Sequence, residues 1–396
     1  MSHLYLLGVA SLTLTSAGFA GSDMNADLQT RLEAAEARIA ELSADQNQNW
    51  LNDERSNAVR SLVQDVLADA DTRASLQGAS GNAGYDGGFT IASGDGNFAL
   101  KINGGVWTSW TMVDDERTAP VVGTDTDGGF DAPDPWIHLS GTVAGDFSYD
   151  IRHDNGTNAD GNGTWANGSW NLNDSWTLTM GTFHQHQNRR TQISNVNQML
   201  IGHSRGSAPV NGIGLGWSGD DMRFWAEASN GNANGTTNDG DYDMNLRFEY
   251  MAEGNWGQFD QWTSADGGAA GTLIGFGYFN ESNTTGTDGD ATWNIDCQMQ
   301  FGGYGVYLGY TDFSDDTVGG TDWDQTDLMG SYYLNSDWEV YVAYSDRSTN
   351  ADGTTSIGLN NYWAGQNAKW TTQYTIDETN ATGDVTTLST QLQFAF

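Results

Sequence analysis

The chain has 396 residues, with 52 Asp and Glu against 15 Lys and Arg, a formal charge of −37, 51 Gly, 16 Trp and a single Cys. That acidity removes nucleic acid as a partner, since a phosphate backbone calls for a basic surface, and the lone Cys297 removes an intramolecular disulfide. Mean hydropathy is −0.52 and no apolar run of about 18 residues occurs beyond the N-terminus, which excludes a helical membrane protein but not a barrel, whose strands give weak hydropathy signals.

Residues 4–20, LYLLGVASLTLTSAGFA, carry small Ala17, Gly18 and Ala20 and predict a signal peptide over 1–20, hence an exported chain. Residues 21–76 change character. Leu28, Leu32, Ala35, Ile39 and Leu42 are spaced four, three, four and three apart, with Glu33, Glu36, Arg38 and Glu41 between them, the heptad pattern of a coiled coil. Gln46 and Asn49 form polar layers, and the seam resumes one residue out of phase at Val59, Leu62 and Val66, which implies a kink. Self-association would bury this seam; the alternative is one amphipathic helix lying on a larger domain.

Residues 77–96 are expected to form a glycine-rich hinge and short hairpin, and from 97 to 396 the pattern has period 2. In the first strand Phe98, Leu100, Ile102, Val106, Trp110 and Met112 share one phase, while Lys101, Asn103 and Ser109 take the other. In YDMNLRFEYMA, Tyr242, Met244, Leu246, Phe248 and Tyr250 oppose Asp243, Asn245, Arg247 and Glu249. Tight turns at Gly145-Asp146, Asn173–Ser175, Gly219–Asp221, Gly302-Gly303, Asn335–Asp337 and Gly365-Gln366 alternate with long connections rich in Asp, Gly, Asn and Thr. Outer-membrane barrels alternate short periplasmic turns with long outer loops in this way. Seventeen candidate strands break the alternation. Demoting NWGQFDQWTS, residues 255–264, to a periplasmic turn leaves sixteen, enough for an aqueous axis.

A lipid-facing Arg or Lys costs about 2–4 kcal/mol near the midplane, so a barrel confines charge to one phase. Lys101, Arg152, Arg223, Arg247 and Lys369 all fall opposite the apolar phase, as do Asp150, Glu227, Asp243, Glu249, Asp296, Asp327, Glu339 and Asp377. His138 and His153 are read the same way. Trp110, Trp136, Trp176, Trp217, Trp293, Trp338, Trp363 and Trp370 read as interfacial girdles. Aromatic core positions of a large solenoid or propeller are the alternative.

One stretch stands apart from this zigzag. From Ser175 to Gly219 no Asp or Glu occurs, where average composition puts about six. It holds Arg189, Arg190 and Arg205 and His184, His186 and His203, together with apolar Ile193, Val196, Met199, Leu200 and Ile201. A long aperiodic loop with this apolar content is expected to pack inside the barrel, over 184–210, rather than lie free; an ordinary basic surface loop is the alternative.

GGFTIASGDGNFALKINGGV, PWIHLSGTVAGDFSYDIRHD and SWTLTMGTFHQHQNRR, in this order, resemble the phosphate-selective porin O and P family of Gram-negative outer membranes. The helical segment is similar to N-terminal coiled coils on some bacterial porins. The resemblance implies a sixteen-stranded antiparallel transmembrane barrel, trimeric, set in lipid and lipopolysaccharide, with a pore narrowed by inserted loops. The helical segment would then be periplasmic, with peptidoglycan as a candidate partner. The phosphate-selective members conduct anions along an arginine ladder and a lysine cluster. This chain departs from that pattern, because its only lysines are Lys101 and Lys369.

Carried over by position, Arg189, Arg190 and Arg205 match the constriction loop, with His184 and His186 beside them, and Arg152, Arg223 and Arg247 match inward strand positions. These arginines would make a basic wall opposed by Glu227, Asp243, Glu249, Asp327 or Glu339, and so a transverse field; Lys101 and Lys369 are expected to line the pore as well. The expectation is a modest preference for cations at the acidic mouths, with anions tolerated at the loop. His184-x-His186 with His203 is a weak metal pattern without a nearby carboxylate, and solvated pore histidines are the expected reading; no cofactor motif is present, and no GxSxG, HExxH or CxxC motif points to an enzyme. The function expected is an outer-membrane porin for passive diffusion of ions and small hydrophilic solutes. The competing classes are a secreted or surface-attached adhesin or glycan-binding protein with a coiled-coil stalk, and a gated transporter.

Overall fold

The computed structural model describes residues 27, 29–37, 82–117, 126–131, 134–154, 163–202, 209–230, 242–281, 290–315, 320–379 and 383–396. The chain divides into two units, Met1–Ala79 and Ser80–Phe396. In the first, residues 29–37 are helical and exposed, and Arg31 lies 4.0 Å from Asp27, an i,i+4 pair. Residues 1–20, expected to be a signal peptide, and most of the expected heptad stretch lie outside the described residues.

The second unit is a sheet of nineteen strands in antiparallel order: β1 (Asn82–Tyr85), β2 (Phe89–Ala92), β3 (Ala99–Asp115), β4 (Thr126–Phe130), β5 (Asp134–Val143), β6 (Phe147–Asp154), β7 (Thr164–Asn171), β8 (Trp176–Phe183), β9 (Val210–Ser218), β10 (Met222–Ser229), β11 (Asp243–Glu253), β12 (Gly271–Asn280), β13 (Ala291–Phe301), β14 (Tyr304–Ser314), β15 (Trp323–Asn335), β16 (Trp338–Arg347), β17 (Thr354–Tyr362), β18 (Ala368–Asp377) and β19 (Val385–Ala395). β4 and β5 pair with successive stretches of one edge of β3, Trp110–Asp114 and Ala99–Trp107, and act as a single interrupted strand. β19 pairs with the other edge of β3, Val385↔Asp115 to Ala395↔Gly105, which closes the sheet on itself. With β4 and β5 counted once and the β1–β2 hairpin set aside, the described residues form a closed barrel of sixteen strands.

The hairpin continues the sheet beyond the end of β19. β2 takes up the edge of β3 where β19 leaves it, and Gly104 and Phe396 exchange backbone hydrogen bonds of 3.1 and 2.8 Å at the junction. The ring of Phe89 meets that of Phe396 at 5.7 Å.

Alternation decides what each face meets. On β11 the phase of Asp243, Asn245, Arg247 and Glu249 is buried, and that of Met244, Leu246, Phe248 and Tyr250 is exposed. The exposed apolar phase continues through Ile274 and Phe276 on β12, Ile295 on β13, Leu308 on β14 and Val340 and Val342 on β16. An apolar belt of this extent suits hydrocarbon rather than water.

Two assignments of phase change. Trp136 pairs with Gly105 and stacks on Trp107 at 5.9 Å, with the Arg152 guanidinium 4.8 Å from its ring, so it faces the barrel interior rather than a lipid girdle. His153 pairs with Ile137 on the outward phase, at the end of β6, where its Nδ1 lies 2.7 Å from Thr164 Oγ1. The outward position is accommodated because the strand stops one residue later, at Asp154.

Candidate functional site

Two connections fold into the barrel and pack on each other. The first, 184–202, follows β8 from the long-loop end. It contains a short helix, α1 (Arg189–Gln192), whose N-cap Asn188 accepts from Thr191 N while the Thr191 side chain accepts from the Asn188 backbone N–H, a reciprocal capping box. A 3-10 turn, Asn195–Asn197, follows Ser194. The second, 254–270, comes from the short-turn end, between β11 and β12, and begins with a 3-10 helix over Trp256–Asp260 capped by Asn255 and Gln258. The sequence reading made this segment a plain periplasmic turn. It is no strand, as expected, but Phe259 and Trp262 are 1% and 3% exposed, because they turn inward.

The two inserts meet directly. Trp262 Nε1 donates to Gln198 Oε1 at 2.9 Å, Asn197 Nδ2 to the Asp260 carbonyl at 2.9 Å, and the Arg189 guanidinium to the Phe259 carbonyl. Ile193, Met199, Leu200 and Trp262 then pack with Tyr307, Met329, Tyr341 and Ala343 of β14–β16 into an apolar core inside the barrel. Amides on the wall hold the backbone of the second insert: Gln298 and Gln300 both donate to the Gln261 carbonyl, each at 2.7 Å.

Beneath the first insert lies a buried ion cluster. Arg247 donates to both oxygens of Asp296, at 2.6 and 2.9 Å, and to Glu249 at 3.0 Å. Arg189 reaches the same Glu249 at 3.5 Å, donates to Gln298 at 2.7 Å, and its backbone N–H donates to Asp296 at 3.2 Å. Two guanidiniums and two carboxylates balance. Two glycines make the arrangement possible: a Cβ on Gly275 would strike the Arg247 guanidinium, and one on Gly277 would strike the Gln187 carbonyl. Burial lowers the Arg189 guanidinium from its ordinary value, with Glu249 acting in the opposite direction.

The predicted residues therefore separate into groups. Arg189, Arg247, Glu249, Asp243 and Glu227 lie on or against the inner wall at 4% exposure or less. They are covered rather than water-facing, because the inserts and their mutual pairing take up the inner surface of β10–β13. Lys369 is likewise covered, its Nζ held by the Gln198 carbonyl at 2.7 Å and Gln366 Oε1 at 3.0 Å. Arg189 and Arg247 do not stand across an eyelet from the acids; they contact Glu249 and Asp296 directly. His186 stacks on Trp225 at 4.4 Å and lies 2.5 Å from Glu227 Oε1, while Asn245 bridges the His186 carbonyl and Glu227. His184 meets Trp165 edge-on at 5.6 Å. Arg223 stacks on Trp256 at 3.9 Å. Arg190 points toward β14 and β15, where burial lowers its guanidinium from the ordinary value and Asp327 opposes that shift. Arg205 and His203 lie outside the described residues.

Coverage of the inner face is uneven around the barrel. On β11–β18 inward residues such as Asn245, Gln298, Tyr341, Asn360 and Thr371 are buried. On β3–β8 the inward residues Lys101, Ser109, His138, Asp150, Asn167 and Ser169 remain part-exposed, with His138 Nε2 2.6 Å from Asp150. A cavity of about 370 Å³ bordered by Ser140, Asp150, Asn167, Ser169, His184 and His186 lies along this wall. Sequence reasoning missed the second insert and the amides that hold it. Trp256, Phe259 and Trp262, three apart in a segment with no zigzag, were the available signal.

Among solved structures, a loop-deletion mutant of OmpT, an outer membrane protein of Vibrio cholerae, superposes with a TM-score of 0.50 at 12% identity, covering 76% of this chain and 100% of that one. OmpT itself, expressed in the outer membrane, gives 0.49 at 12% identity over 76% and 98%. A triple mutant of Rhodopseudomonas blastica porin gives 0.48 at 14% identity over 75% and 100%. No curated protein matches the sequence. The family model described as phosphate-selective porin O and P matches residues 100–260. That match falls on the family the sequence motifs resemble, and together with the closed sixteen-stranded barrel it supports an outer-membrane porin channel.

Proposed function

We propose that the protein is a porin whose water-filled passage is eccentric, running along the β3–β8 wall, and serves passive diffusion of ions and small hydrophilic solutes. The observation that carries this reading is the uneven coverage of the inner face: inserts bury the inward residues of β11–β18 short of their long-loop ends, while Ser109, His138, Asp150, Asn167 and Ser169 along β3–β8 stay part-exposed. The passage then presents Lys101 and Arg152 together with Asp150 and a series of neutral hydroxyl and amide groups. Mixed charge of this kind gives weak ion selectivity. Its long connections are rich in Asp, and the net charge of −37 supports a modest preference for cations. Trimer formation, contact with lipopolysaccharide and a periplasmic N-terminal segment reaching peptidoglycan belong to the same reading. Insertion into planar bilayers tests it: stepwise conductance with a cation-directed reversal potential in a salt gradient is expected, and failure to form steps in lipid overturns it. The adhesin alternative predicts a protein that remains soluble without detergent.

A further inference from the structure

A second cavity, of about 420 Å³, lies on the opposite side of the barrel interior from the proposed passage, toward the long-loop ends of β13–β17. Its depth is closed: Leu200, Trp262, Tyr307 and Met329, which border it, are all buried members of the apolar core between the inserts and the wall. A space with such a floor holds a solute rather than conducting one.

The side walls are polar and hydrogen-bonded to one another. Gln325 organises them, its amide nitrogen donating to Asp327 at 3.0 Å and to Ser345 at 3.1 Å and its oxygen accepting from Arg347 at 3.1 Å. Arg347 in turn lies 3.9 Å over Trp323, which stacks on Phe313 at 4.9 Å and 15°. Arg190 of the first insert and Arg347 border the cavity together with Asp296 and Asp327, so the charges around it are of both signs. A carboxylate offers about four acceptor positions, and Gln325 Nε2 donates to both oxygens of Asp327, at 3.0 and 3.2 Å.

We infer that this cup is a binding site for a neutral saccharide, a reading that rests on the barrel being the proposed porin. Three features favour that class over an ion. Donors and acceptors alternate around the wall, as a polyhydroxylated ring requires, since each hydroxyl both gives and takes a hydrogen bond. Opposed charges leave no net field to select an anion or a cation. Leu200 and Met329 at the floor and the half-buried Phe313 at the rim border the same space and offer apolar contact for the C–H face of a sugar ring, and pockets of about 300–1,000 Å³ with few convergent polar groups are the common form of small-molecule sites.

The test uses the full-length protein in detergent, titrated calorimetrically with maltotriose, with inorganic phosphate and with glycine, and the same preparation reconstituted in planar bilayers. Saturable maltotriose binding, weakened about tenfold or more by Asp327→Ala as expected for a hydrogen bond to a charged group, supports the site. Trp323→Phe keeps the aromatic wall and should retain binding. Because the cup lies off the passage, saturating maltotriose should leave ion conductance unchanged. Saturation by phosphate or glycine with none by maltotriose overturns the assignment, as does maltotriose binding that Asp327→Ala leaves intact. Conductance without maltotriose binding removes the cup alone; loss of conductance removes the porin reading.

Discussion

Arg247 on β11 grips Asp296 on β13 with two hydrogen bonds, 2.6 and 2.9 Å long, across Gly275 of the intervening β12, on an inner wall where neither side chain is more than 3% exposed. A pair so enclosed fixes the first insert to the wall, because Asp296 also accepts the backbone N–H of Arg189. Removing one partner leaves the other charged and dry. Asp296→Ala is expected to destabilise the barrel by about 3–5 kcal/mol, read as a lower temperature for loss of the compact, fast-migrating species on unheated gels. Replacing both residues with leucine should restore part of the loss.

Gly277 is a position where the first insert lies directly on the wall, with the Gln187 carbonyl in the place a Cβ would occupy. Backbone cannot swing aside as a flexible side chain can. Gly277→Ala should cost about 1–3 kcal/mol and push the insert away from β12. Single-channel recording is expected to show altered unit conductance with added current noise, while Gly330→Ala, where a Cβ meets only Val342 at 3.9 Å, should leave both unchanged.

Lys369 tethers the tip of the same insert, donating to the Gln198 carbonyl and to Gln366 of the short turn that follows β17. Lys369→Met removes the charge, keeps most of the side-chain volume, and leaves that carbonyl without its donor, a loss of about 1–3 kcal/mol. Faster proteolytic nicking within 193–202 than in the parent protein is the expected outcome. Equal nicking rates would show that the tip is held by the apolar core alone.

Selectivity should follow exposure rather than the sign of each residue. Arg152 on β6, with Asp154 at 3.5 Å, is part-exposed toward the proposed passage, whereas Arg189 and its partner Glu249 are both buried. Arg152→Gln is therefore expected to move the reversal potential in a salt gradient toward cations. Arg189→Gln should move it little and lower thermal stability instead.

The strands were legible because their lipid and interior faces alternate residue by residue, as in β11, where every second position is charged or amide. The inward fold of 184–202 was legible from its missing acids and its apolar Ile193, Met199 and Leu200. What those arginines do there was not. Charge pairing depends on which wall the insert meets, and nothing local in HQHQNRR specifies β11 and β13. The empty inner phase of GTLIGFGYF, Gly275 and Gly277, was a mark of close approach, but sequence alone does not say by what. Trp136 misled for a different reason. Its strand alternates correctly through Ile137 and Leu139, but tryptophan is equally at home on an interior wall when it stacks, as it does on Trp107.

The eccentric passage is tested most directly by thiol accessibility during current recording, after Cys297→Ser removes the native thiol. Ser169→Cys and Ser331→Cys place small, matched substitutions on the inner phase of β7 and β15, the first part-exposed and the second buried beneath Thr263 of the second insert. A bulky, charged, water-soluble methanethiosulfonate added to the bath should reduce the current in steps for Ser169→Cys and leave it unchanged for Ser331→Cys. Block of Ser331→Cys with Ser169→Cys untouched would put the water on the other side of the barrel and contradict the account.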